Sequence, residues 1–82
     1  MKEERTLDCL PLGEQAEIIQ IDAPQEVRAR LIALGFVPGG CVRTRLESPW
    51  GDPVAYEVCG AVIALRRADA RQIAVAPRIA FM

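Results

Sequence analysis

The sequence predicts a mainly β fold, a small barrel of about five short strands with one α-helix inserted after the first strand and short helical turns elsewhere. The first observation is an amphipathic run that stops at Leu34-Gly35 and gives way to the turn Val37-Pro38-Gly39-Gly40. The second is period-two alternation in Cys41 to Glu47, Val54 to Cys59 and Ala61 to Arg66, with hairpin-sized turns between the segments. The third is length. A chain of 82 residues holds one core, so a single domain is expected over 1–82, with its core at about 7–76. So few short strands cannot cover two sheet faces as a sandwich, whereas curling the sheet hides its edges around one interior.

Taken in order, Leu7 and Leu10 are spaced i, i+3 and precede Pro11 and Gly13, which predicts one helical turn that tucks both leucines under the domain. Ala16 to Ile21 reads as a strand with Ala16 and Ile18 on one face and Glu17 opposite. Ile19 and Ile21 break that alternation, which calls for a bulge or for burial on both faces. Pro24 is placed at the first helical position, where its missing N–H is no loss, and Glu26 in the first turn suits the helix dipole. Val27, Leu31 and Leu34 form the expected buried stripe, with Glu26, Arg28 and Arg30 off it. Gly35 then supplies a left-handed cap, and Phe36 is free to drop into the core.

After the Pro38-Gly39-Gly40 turn, Val42, Thr44 and Leu46 are expected to face inward, with Arg43, Arg45 and Glu47 outward. Ser48 to Pro53 is a loop dense in turn formers. Val54, Tyr56 and Val58 share the inner face of the next strand, Gly60 makes a tight reversal, and Ala61, Ile63 and Leu65 share a face beyond it. Ala68 to Arg71 predicts a helical turn, and Gln72 to Ala76 a last strand that buries Ile73 and Val75 before Pro77. A barrel with this order of strands and one inserted helix is SH3-like.

Composition excludes several functions. Apolar residues make up 51% and charged residues 26%, which is ordinary for a folded domain. A net charge of −1 lacks the basic excess that general nucleic-acid binding needs, and it gives no pull toward an anionic membrane. The few aromatics weaken an SH3-like nucleic-acid binder further. No apolar run approaches a membrane span, and the start Met1-Lys2-Glu3-Glu4 carries acids where an export signal would carry bases. A cytoplasmic protein is expected, with any membrane link made through a partner.

The chain has no histidine, so the Ser/His/Asp and Cys/His constellations are absent, and no phosphate-cradling glycine motif occurs. No catalytic residue and no cofactor is expected. Cys9, Cys41 and Cys59 are odd in number and form no C-x-x-C, so reduced and mostly buried thiols are expected. Strand parity puts Cys41 with Arg43 and Cys59 with Glu57. That leaves room for a direct metal binder built on cysteines and carboxylates such as Asp8 or Glu57, although structural zinc sites favour paired ligands at short spacing.

Nine of the ten basic residues are arginines. Arg43 and Arg45 leave one strand face, while Arg66, Arg67 and Arg71 gather near the helical turn. Local pairs with Glu47, Glu57 and Asp69 account for most of them, as on any solvated face. Trp50, between Pro49 and Gly51 at a loop tip, has poor access to the core and is the type of side chain that anchors interfaces, with folding back over the barrel mouth the equal alternative.

Leu7-x-x-Leu10, Gly13, Ala16-x-Ile18, Arg30-Leu31-x-x-Leu34-Gly35-Phe36-x-x-Gly39, Pro49-x-Gly51-Asp52-Pro53, Gly60, Ile63-Ala64-Leu65-Arg66, Ala70 and Ile73-x-Val75 together resemble the FeoA family. The likeness runs from about Leu7 to Val75 and leaves the tail after Pro77 uncovered. It implies an SH3-like barrel with a non-catalytic role in bacterial ferrous-iron uptake, acting on the cytoplasmic GTP-binding part of the FeoB permease. The expected partner contacts are Leu34, Phe36, Arg43 and Trp50, with a core role the alternative for Leu34 and Phe36. The alternative function is direct Fe(II) binding on cysteines and carboxylates, with no metal ligand assigned. Homo-oligomerisation is left open.

Overall fold

The computed structural model describes residues 5–77. The acidic start at 1–4 and the tail at 78–82 lie outside the described residues. Six strands, β1 (Arg5–Thr6), β2 (Gln15–Ile21), β3 (Cys41–Glu47), β4 (Val54–Val58), β5 (Ala61–Leu65) and β6 (Ile73–Pro77), form one antiparallel sheet in the order β1-β6-β2-β3-β4-β5. Two helices complete it, α1 (Gln25–Leu34) between β2 and β3 and α2 (Arg67–Ala70) before β6. A 3-10 turn at Leu7–Cys9 buries Leu7, and Leu10 follows it into the core, as their spacing predicts. Strand β1 is the addition to the expected five. Its two residues pair with β6 and are too few to show an alternation.

The interior is built from alternate residues of β2, β3, β4 and β6, joined by Leu31, Phe36, Leu65 and Ala70. In β4 the alternation is complete, with Val54, Tyr56 and Val58 inward. In β2 the register shifts between Ile18 and Gln20, so Ile19 is the extra residue of a bulge and Ile21 returns to the core. Of the two readings of that strand, the bulge is correct.

A second bulge overturns one expectation. The register of β3 shifts between Thr44 and Leu46, since Thr44 faces Tyr56 and Leu46 faces Ala55. Arg45 is the inserted residue, and Leu46 after it is turned to the outer side. Leu46 is therefore 65% exposed rather than buried with Val42 and Thr44. Thr44 is buried, and its hydroxyl donates to the Leu10 carbonyl at 3.1 Å, which satisfies that polar side chain within the core.

Helix α1 starts one residue later than the proline suggested. Pro24 is its N-cap, with an extended ψ of 156°. The helix ends in a Schellman motif, with the N–H of Gly35 donating to the Ile32 carbonyl and that of Phe36 to the Leu31 carbonyl, both at 3.0 Å. Gly35 has φ 114°, the left-handed region where any other residue is strained by roughly 1 kcal/mol. The stripe itself is narrower than expected. Leu31 is fully buried and Val27 packs partly against the core, but Leu34 is 38% exposed. The interior under the helix end is filled by Phe36 instead, whose ring meets Tyr56 edge-on at 6.4 Å.

The three cysteines are all exposed, contrary to the burial expected of free thiols. Cys9 ends the 3-10 turn, Cys41 alternates outward opposite Glu17, and Cys59 lies in the β4–β5 turn. Position overrides the general tendency of the residue type.

Candidate interaction surface

The loop 48–53 is held from several sides. Its own turn closes when Gly51 N–H donates to the Ser48 carbonyl at 2.8 Å, and Ser48 N–H donates to the Pro53 carbonyl at 3.2 Å. Arg67 then fastens the loop to the rest of the domain. Its Nε donates to the Gly51 carbonyl. Its Nη1 donates to the Asp8 carbonyl at 2.8 Å, and its Nη2 stands 3.7 Å from Glu47. A planar guanidinium suits this role because several donors project in fixed directions from one group. Tyr56 lies within the field of the same charges, and burial pushes its hydroxyl up to about 12, with Arg67 opposing and Asp8, Glu47 and Asp52 assisting.

At the tip of this fixed loop Trp50 is 90% exposed. Leu46 and Leu12, at 65% and 57%, accompany it along the same end of the sheet. Leu12 is brought there because the N–H of Gly13 donates to the Thr44 carbonyl at 2.7 Å, continuing the β2–β3 pairing. An indole held out by a rigid loop loses little conformational freedom on docking, which is what makes such a residue an effective anchor.

The four contact residues expected from sequence do not form one patch. Phe36 is fully buried and belongs to the core, so its expected role as a contact is corrected. Leu34 is exposed, but it sits beside Gly35, against the β4–β5 turn and so at the Cys41 end of β3. Trp50 follows the other end of that strand, about 20 Å away along seven extended residues. Arg43 is exposed between them and donates to Gln15 Oε1 at 2.5 Å.

Three further arginines fit the solvated-face reading. Arg45 pairs with Glu57 at 2.7 Å, Arg30 with Asp69 at 3.4 Å and Arg71 with Asp8 at 3.6 Å. Sequence reasoning missed Leu12, Leu46 and the Arg67 clamp. A leucine between Pro11 and Gly13 in a turn was a signal for the first. Among the described residues no three cysteines or carboxylates converge to hold a metal ion, and no helix is long and apolar enough to cross a membrane.

An SH3-like barrel with an inserted helix, a capped and clamped loop and one outstanding tryptophan belongs to the class of small β domains that present a surface. The family model described as FeoA domain matches residues 5–77, and the chain belongs to the FeoA family. It is 35% identical over 69 residues to the Fe(2+) transport protein A/Fe(2+) transporter FeoB fusion protein of Porphyromonas gingivalis, covering 84% of this chain. The chain spans 8% of that fusion protein's length. The solution structure of FeoA from Chlorobium tepidum is similar with a TM-score of 0.82 and 33% identity, over 88% of this chain and 69% of that one. The crystal structure of Stenotrophomonas maltophilia FeoA complexed with zinc gives a TM-score of 0.75 and 34% identity, over 85% of this chain and 87% of that one.

Proposed function

We propose that this domain is a non-catalytic interaction module of ferrous-iron uptake that docks on the cytoplasmic GTP-binding part of an FeoB-like permease. The observation that carries the docking mode is Trp50, exposed on a loop that Arg67 holds rigid. The partner's identity is supported by the Porphyromonas gingivalis relative, in which an FeoA segment and an FeoB transporter share one chain. Joining two modules in one chain raises their effective concentration for each other, an arrangement that favours pairs that must meet. The site offers an apolar anchor, Trp50, with an ion-paired surround, which fits recognition of a partner surface.

The test is calorimetric titration of the full chain against the isolated cytoplasmic domain of the FeoB permease from the same organism, with GTP turnover followed in parallel. Saturable binding that Trp50→Ala weakens at least about tenfold supports the reading. Absence of binding, or unchanged ferrous-iron-dependent growth when the protein is deleted, sinks it.

A further inference from the structure

At the end of β3 away from Trp50, a shallow cavity of about 360 Å³ is lined by Cys41, Arg43, Arg45, Glu57, Cys59 and Gln15. It contains two of the three cysteines, both exposed. Their placement is set by register. Val42 faces Val58, Arg43 faces Glu57 and Thr44 faces Tyr56. That ladder ends at Val42 and Val58, and the next residues are Cys41, at the start of β3, and Cys59, the first residue of the β4–β5 turn. Adjacent strands lie about 4.7–4.9 Å apart, which leaves two residues just past the last paired step near the roughly 4.4–6.8 Å between α-carbons that a disulfide spans.

Cys59 is also an unusual choice for its place. It forms the two-residue β4–β5 turn with Gly60, at φ 52° and 78° respectively, the type I′ arrangement that favours asparagine, aspartate or glycine. It is the only non-glycine residue with positive φ among the described residues. A strained backbone at a reactive side chain points to use of that side chain. Its thiol donates to the Gly35 carbonyl at 3.4 Å, so the sulfur lies against the helix cap.

From the cross-strand register and the shared cavity we infer that Cys41 and Cys59 form a redox-active dithiol that closes to a disulfide with low-molecular-weight disulfides of the glutathione type. Cys41, with no hydrogen bond holding its sulfur among the described contacts, attacks first. Its thiolate bonds to one sulfur of the small disulfide, the S–S bond breaks, and one small thiolate departs and takes up a proton. The Cys59 thiolate then attacks the Cys41 sulfur of the mixed disulfide and expels the second small thiol. The two protein thiols give up two electrons and two protons, and the small disulfide becomes two thiols. Cys9 lies outside the cavity, with its sulfur 3.7 Å from Thr6 Oγ1, and is left reduced.

The experiment treats the dilute, fully reduced chain with oxidised glutathione and follows free thiols and tryptic peptides by mass spectrometry. Free thiols should fall from three to one, with peptide 31–43 joined to 46–66 and peptide 6–28 carrying alkylated Cys9. Closure should be at least about tenfold faster in the native chain than in denaturant, because folding supplies the effective concentration. Cys9→Ser should bridge as the wild type does. Cys41→Ser should stop at a glutathione adduct on Cys59, and Cys59→Ser at an adduct on Cys41. The inference fails if Cys9 enters the bridge as often as its fellows, if adducts persist on all three sulfurs, or if closure needs the unfolded chain. None of these outcomes depends on permease binding.

Discussion

The backbone N–H of Arg67 donates to Asp52 Oδ1 at 3.0 Å, so an acid in the Trp50 loop caps the first turn of α2. The helix is four residues long and has no side-chain cap of its own. Loop and helix thus stabilise each other across 15 positions of sequence, and the Arg67 side chain completes the link by returning to Gly51.

Replacing Asp52 with alanine should therefore cost about 1 kcal/mol, the usual value of a lost N-terminal cap. Denaturant unfolding measures it. Trp50 is the only tryptophan, so its fluorescence anisotropy reports the loop directly and should fall in the variant. Unchanged anisotropy would mean that the loop holds its shape without the cap.

Thr44→Val keeps the shape of the core but strands the Leu10 carbonyl, which loses the bond it accepts at 3.1 Å. The expected loss is roughly 1–2 kcal/mol. Thr44→Ser retains the hydroxyl and should lose less than the valine variant. Equal losses in the two variants would show that packing, not the hydrogen bond, matters at this position.

Tyr56 sets an alkaline limit. Its hydroxyl is raised to about 12 in the fold, chiefly by burial, against an ordinary value of 10.0. The folded state thus keeps a proton that the unfolded chain releases above pH 10. This contribution, on the order of 2 kcal/mol, is fully present below pH 10 and is lost as pH rises toward 12. Tyr56→Phe should flatten the stability profile in that window. A wild-type profile already flat there would contradict the assignment.

Cys59→Asn should raise stability by about 0.5–1 kcal/mol, since asparagine tolerates the left-handed turn position better. Thermal unfolding of the reduced proteins checks the sign. A decrease would mean that the thiol's contact with the Gly35 carbonyl outweighs the backbone strain.

Much of the architecture was legible because its signals are local. The Leu34-Gly35-Phe36 sequence announced a helix end and a return to the core, and both occur. The alternation of Val54, Tyr56 and Val58 needed no correction. Leu46 was misread because one extra residue in β3 leaves no mark in composition or period, and only the pairing with Ala55 reveals it. The cysteines were misread because a residue-type average says nothing about a turn or an outward register position. Trp50 was legible as a loop tip. The clamp on its loop was not, since Arg67 binds carbonyls of Asp8 and Gly51 that only folding brings near.

The inserted Arg45 divides one strand into two jurisdictions. Before it, alternate positions answer to the volume of the interior, and after it both Leu46 and Glu47 answer to whatever lies outside. Substitutions on the outer side can accumulate without disturbing the packed side, so the scaffold is free to change acquaintances while keeping its shape.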